Sequence, residues 1–176
     1  SGMARVKVYD EKGMPRKIGT GIFARIFREH FPLLPVEEDG RLHDPLLREN
    51  FIERIFTGWR FGAIRGEKNH AASLVNFHAR NKLLLMAHSP KHLKEMGAIV
   101  AQAGKLPPAD LAGPYERLLL EGMALKPTPA KHTNVLMHIM GYFKKQLSAD
   151  EKQELLEVID GHRRGILPLI VPVTLL

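Results

Sequence analysis

Cysteine is absent from all 176 residues. This chain therefore cannot form a disulfide, use a thiol nucleophile or hold an iron–sulfur cluster by its own thiolates. No run of about 18 apolar residues occurs, so a membrane span is not expected. The opening "SGMARVKVYD" lacks the apolar centre of a signal peptide and reads as a vector remnant or a truncated start. A cytoplasmic location is the expectation.

Acidic residues are in deficit, with 19 Asp and Glu against 26 Lys and Arg, for a formal charge of +7. The excess favours an anionic partner, nucleic acid first, although a solvated cationic face produces the same sum. By count it divides as +2 over residues 1–61 and +5 over residues 62–176. The hydrophobic fraction of 44% and charged fraction of 26% belong to an ordinary globular chain. The length suits one domain, or one small domain and part of another.

The pattern changes near residue 61. "RVKVYD" (5–10) alternates as a half-buried strand, with Val6 and Val8 on one face. "EKGMPRK" reads as a turn, and "GTGIFARIFREHF" as a helix opened by glycines, with Ile22, Phe23, Ile26 and Phe27 at helical spacing. "PLLPVEEDGRL" reads as a short second extended segment, then a turn. Asp44 then caps a helix with Pro45 at its first position, whose expected inner face carries Leu47, Phe51, Ile52, Ile55 and Phe56. Strand, helix, strand, helix predicts a βαβα piece of a parallel α/β domain over residues 1–61. Two strands are too few to stand alone, so this piece is expected to pack on something else.

Residues 62–176 predict an all-α domain, making the chain α+β overall and mainly α. Leu74, His78, Asn81, Leu85 and His88 fall on one helical stripe. Ser89 and Pro90 start the next helix, which ends near Gly104, and "LPPADLAGPYERLLLEGMAL" supplies another. Thr133 is the expected cap of the helix in "KHTNVLMHIMGYFKK" (131–145). Ser148 and Glu151 form a capping box for the last long helix, which Gly165 closes. The tail "ILPLIVPVTLL" is apolar and broken by prolines, so it should be buried.

Chemistry-bearing residues concentrate in the helical half. His132 and His138 lie about 120° apart around a helix, which rules out a metal pair on one face. Asn134 and His138 share a face, either as a buried hydrogen bond locking helix packing or as part of a substrate site. His70, His78, His88 and His92 come earlier; His88 and His92 are split by the Ser89-Pro90 helix break, and no carboxylate stands at ligand spacing. His88 near a helix C-terminus has a structural reading, since a cation opposes the dipole there. Arg80 and Lys82 are a solvated face or phosphate contacts. His162, Arg163 and Arg164 are helix-ending chemistry or a phosphate grip.

"NFHARNKLLLMAHS", "KHTNVLMHIMGYF" and "IDGHRRGILPLIVP" resemble the YbgA-like domain of unknown function, over roughly residues 62–176. Residues 3–60, with "RVKVYD", "GTGIFA", "FPLLPVEEDGRL" and "RENFIER", look like the end of a TudS-type thiouracil desulfidase domain. Two-domain proteins of this kind are implicated in removing sulfur from 4-thiouridine in tRNA. The resemblance implies a 4Fe–4S cluster on three cysteines of the preceding domain, with the helical domain as the presumed RNA binder. A Ser-Pro-Ser-Cys-Gly segment holds the last cluster cysteine just ahead of the match to "MARVKVYD". On that comparison the chain is expected to be a fragment cut inside the catalytic domain, with no cofactor of its own.

Three readings follow. In the first, an RNA-binding, substrate-presenting module, Arg80, Lys82, Lys131, His132, Arg163 and Arg164 touch the RNA backbone. His78, Asn134, His138 and Tyr142 line a pocket between helices, with His88 among the binding residues. In the second, the domain is structural or an oligomerisation module, possessing an internal polar network and pairing with a second copy or the desulfidase domain. The third, an independent histidine acid–base enzyme, lacks a companion carboxylate or nucleophile at recognisable spacing.

Overall fold

A computed structural model describes residues 6–65, 67 and 70–176. Val6–Tyr9 forms β1 and Pro15–Gly19 forms β2. Asp10 builds the turn between them: its Oδ1 accepts from the Lys12 and Met14 amides at 3.0 and 2.9 Å. Gly13 completes it at φ +71°, a left-handed conformation that glycine adopts without a Cβ clash. The strands pair antiparallel, Val8 opposite Arg16.

This overturns the parallel βαβα expectation among the described residues. A hairpin turn can only return the chain antiparallel. Although the turn expected after it forms as a 3-10 turn at Asp39–His43, the segment expected as the second strand joins no ladder among the described residues. Pro32 and Pro35 there have no N–H for a ladder. The inward face expected of Val6 and Val8 lies outside the described side chains, as does the side chain of His70.

Helix α1 covers Ile22–His30 and α2 covers Pro45–Ile64. Asp44 caps α2 as expected, accepting from the Leu46 and Leu47 amides at 2.9 and 3.2 Å. The helix runs unbroken through residue 61, where the composition changes, and packs on the helices beyond. Its buried face is Leu47, Asn50, Thr57 and Phe61. Of the expected inner face, Ile52, Ile55 and Phe56 are exposed. α2 has apolar residues on two sides, and its neighbours cover the side that also carries Asn50 and Thr57. Asn50 is satisfied there, its Nδ2 donating to the Met123 carbonyl at 3.1 Å.

α3 (His70–His88), α4 (Pro90–Val100) and α5 (Pro108–Ala124) pack on α2 and on each other. Leu74, Asn81, Leu85 and His88 are buried on the predicted stripe of α3. Around them Phe61, Phe77 and Tyr115 interlock, Phe61 stacked on Tyr115 at 5.4 Å and Phe77 edge-on to both. Ser89 caps α4 as predicted.

α6 (Pro129–Phe143), α7 (Ala149–Arg163) and α8 (Ile170–Leu175) follow. The cap of α6 is Thr128, one turn before the expected Thr133, because Pro129 starts the helix earlier. Thr133 lies inside and donates its hydroxyl to the Pro129 carbonyl at 2.8 Å. Ser148 and Glu151 form the capping box, and Gly165 ends α7 at φ +75°. The tail is only partly covered: Pro172 is buried, whereas Ile166 and Ile170 are exposed. Leu136, Leu155 and Ile159 make a second apolar cluster, separate from the core of α2–α5. Among the described residues no helix is long and apolar enough to cross a membrane.

Candidate functional site

Polar side chains gather where α6 and α7 meet the α2–α5 core. His88, at the last position of α3, is fully buried. Its Nδ1 lies 2.7 Å from the Leu125 carbonyl, and its Nε2 lies 2.9 Å from Glu53 Oε2 on α2. A carbonyl only accepts, so Nδ1 carries a proton; another lies between Nε2 and the Glu53 carboxylate. Lys131, in the first turn of α6, donates Nζ to the His88 carbonyl at 2.6 Å and the Lys126 carbonyl at 3.2 Å.

His132 is half-buried, its ring 5.7 Å from that of His162 at the end of α7. Burial pushes the His132 pKa below the ordinary histidine value. The His162 ring adds to this, Glu53 opposes it, and His88 and Lys131 reinforce it. His162 is buried; its Nδ1 donates to the Leu167 carbonyl at 3.1 Å, leaving Nε2 with no hydrogen-bond partner among the described residues. The assembly is a polar joint between two apolar cores, three imidazoles from three helices.

A second concentration lies between α2 and α3. A concavity of about 370 Å³ is floored by Ile64 and Phe77 and walled by Arg60, Asn76, Arg80 and Asn81. Helical spacing explains the α3 side: Asn76 and Arg80 are four apart, as are Phe77 and Asn81. Arg60 makes one hydrogen bond, Nη2 to Thr57 Oγ1 at 3.2 Å, and has no carboxylate partner among the described residues. Arg80 and Asn76 have no hydrogen-bond or ion-pair partner among them. Glu67 also borders the space, its carboxylate accepting the Ser73 hydroxyl.

The predicted binding residues therefore do not converge on one site. His88 is sealed with both ring nitrogens engaged, so a ligand cannot reach it in this fold. Arg80 lines the concavity. Lys82 is exposed beside His78, whose pKa is lowered by burial and then by that ammonium. His78 Nδ1 meets the Tyr115 hydroxyl at 3.1 Å, and burial pushes the Tyr115 pKa up. Asn134 and His138 are exposed and Tyr142 is 64% exposed, so these three do not line a pocket between helices. Leu136 defines the inner face of α6, and Asn134 and His138 each lie two residues from it, on the opposite side. Arg163 and Arg164 are exposed and share Asp160, at 2.7 and 2.8 Å. Glu53, Arg60, Asn76 and His162 carry much of both arrangements; only the Asn76/Arg80 spacing is a local signal.

The sequence signature of the family described as "Protein of unknown function (DUF1722)" matches residues 82–176. The chain belongs to this family. The uncharacterized protein YbgA of Escherichia coli (strain K12) is 34% identical to it over 125 residues, covering 70% of this chain and 74% of that protein. No solved structure matches. In this DUF1722 member His88, Lys131, His132 and His162 fall inside the matched span, whereas Glu53, Arg60 and Arg80 precede it. The residues present do not fit an iron–sulfur cluster: cysteine is absent, and no group of three His, Asp or Glu among the described residues is placed to hold a metal ion.

Proposed function

We propose that this chain is an RNA-contacting, substrate-presenting accessory domain, serving a tRNA thiouridine desulfidase whose chemistry resides elsewhere. The observation that carries the RNA reading is the facing pair Arg60 and Arg80. Two guanidinium groups without carboxylate partners among the described residues border one concavity of a chain whose formal charge is +7. Guanidinium presents a planar donor fork that matches phosphate oxygens. Lys82, Arg163 and Arg164 are exposed and supply further backbone contacts. The desulfidase setting rests on the sequence resemblance of residues 3–60 alone. In that setting the cluster and the sulfur chemistry belong to a companion domain, and these residues grip the RNA.

The test is tRNA affinity across a salt series, with Arg60→Ala/Arg80→Ala beside the native chain. Binding should weaken steeply between about 50 and 200 mM salt, and the double variant should flatten the log–log slope by about 2. A flat salt dependence, or an unchanged double variant, rejects the reading.

An interaction module is the second reading, favoured by the exposed apolar side of α2, where Phe56 is 58% and Trp59 71% exposed. Light scattering separates the two. A dimer dissolved by Trp59→Ser, together with absent tRNA binding, selects the interaction module.

A further inference from the structure

We propose that the Arg60–Arg80 concavity is a mononucleotide pocket, taking one unstacked nucleotide of an RNA strand with its phosphate on the two guanidinium groups. The inference rests on the RNA reading above and makes it specific to a site. Size is the first argument: about 370 Å³ lies in the range of small-ligand pockets and is far too small for a duplex. Sequence-specific recognition of RNA acts mainly on bases splayed out of the stack.

Charge is the second. Several surface arginines of this protein pair with carboxylates: Arg41 with Glu37, Arg65 with Glu116 and Arg117 with Glu121. Arg60 and Arg80 have no such partner among the described residues, although Glu67 borders the same space with one carboxylate oxygen on the Ser73 hydroxyl. Among the described residues the concavity thus holds two cations against one anion. One phosphodiester charge neutralises it, the roughly −1.5 to −2 of a 5′-monophosphate near pH 7 exceeds it only slightly, and a triphosphate would crowd further charge against Glu67. A monophosphate or phosphodiester is favoured over a triphosphate.

The polar complement is the third. Asn76 offers both amide hydrogens and its carbonyl oxygen. Asn81 donates Nδ2 to the Phe77 carbonyl at 2.8 Å and keeps Oδ1 as an acceptor. Mixed donors and acceptors are what a base edge requires, and a bare phosphate uses no acceptor. Beneath them Phe77 is held edge-on between Phe61 and Tyr115, giving a rigid apolar floor.

The experiment uses the whole chain and calorimetric titration with uridine and adenosine 5′-monophosphates, uridine, uridine 5′-triphosphate and inorganic phosphate, alongside tRNA. At least one monophosphate should bind about ten-fold or more tightly than uridine, the triphosphate and inorganic phosphate. Arg80→Ala should weaken that binding about ten-fold, and Asn76→Ala should narrow the advantage over inorganic phosphate. Arg25→Ala, on α1 and paired with Glu29, should leave it unchanged. Equal affinity for phosphate and monophosphate overturns the proposal, leaving a plain anion site. Binding of tRNA with no mononucleotide binding overturns the pocket while the RNA reading stands. Mononucleotide binding without tRNA binding overturns the RNA reading, and with it the assignment to an RNA strand.

Discussion

Glu53 and His88 stand 35 residues apart and meet at 2.9 Å, carboxylate to Nε2, tying α2 to the end of α3. The same imidazole holds the Leu125 carbonyl from its other nitrogen, so one side chain joins α2, α3 and the chain that follows α5. His88→Leu removes the donor for both acceptors. The expected loss is roughly 1–3 kcal/mol for each acceptor left without a partner, seen as a lower urea midpoint at unchanged slope. Glu53→Gln keeps an acceptor and should cost less than about 1 kcal/mol. No loss in either variant would show that the contact carries no weight.

His132 gives the joint a pH dependence. Burial and the neighbouring His162 ring lower its folded-state pKa, so the unfolded chain takes up this proton more readily. Stability from the group is complete above about pH 6.5 and falls as pH drops below that value. Glu151 and Asp160, whose pKa values are lowered by hydrogen bonds to Ser148 and Arg163, act in a separate window below about pH 4.5. Melting temperature measured from pH 7 to 5 should decline, and His132→Leu should flatten the decline. A native profile already flat across that range would contradict the assignment.

Gly122 is a close-approach position. A Cβ there would stand 3.0 Å from His92 Cβ and 3.2 Å from Cγ, where α5 packs on α4. Gly122→Ala should destabilise by about 1–3 kcal/mol through overpacking. Gly62, in α2, has nothing within 4 Å of its Cβ position. Gly62→Ala should be neutral or stabilise by up to about 1 kcal/mol through helix propensity. Calorimetric melts of the two variants should move in opposite directions.

Ser148→Ala deletes the side-chain arm of the α7 capping box and keeps the arm donated by the backbone amide of residue 148, at a cost of about 1 kcal/mol. Because the α6–α8 apolar cluster is separate from the α2–α5 core, the loss should be local. Hydrogen exchange should speed up in α7 and leave α3 and α5 protected. Uniform acceleration would mean that the two clusters open as one unit.

Much of the helical framework was legible because its signals are local. Asp44-Pro45, Ser89-Pro90 and the Ser148/Glu151 box each place an oxygen within reach of nearby amides, and all three start helices as read. Thr128 and Thr133 are both threonines able to cap, and the proline after Thr128 settles the choice. The hairpin is hidden in the sequence because a turn and a short strand share the residues "EKGMPRK". Strand pairing depends on a partner that periodicity does not name.

By itself the sequence determined most helix starts, the stripe of α3, the cationic balance and the absence of thiol chemistry. These follow from the spacing of side chains along one chain and from composition. Only the tertiary structure decided which side of α2 is covered, that His88 is sealed against Glu53, that His132 faces His162, and that Arg60 and Arg80 border one space. Each of those joins side chains from different helices. Their meeting depends on how the apolar faces pack, and no spacing along the chain encodes it.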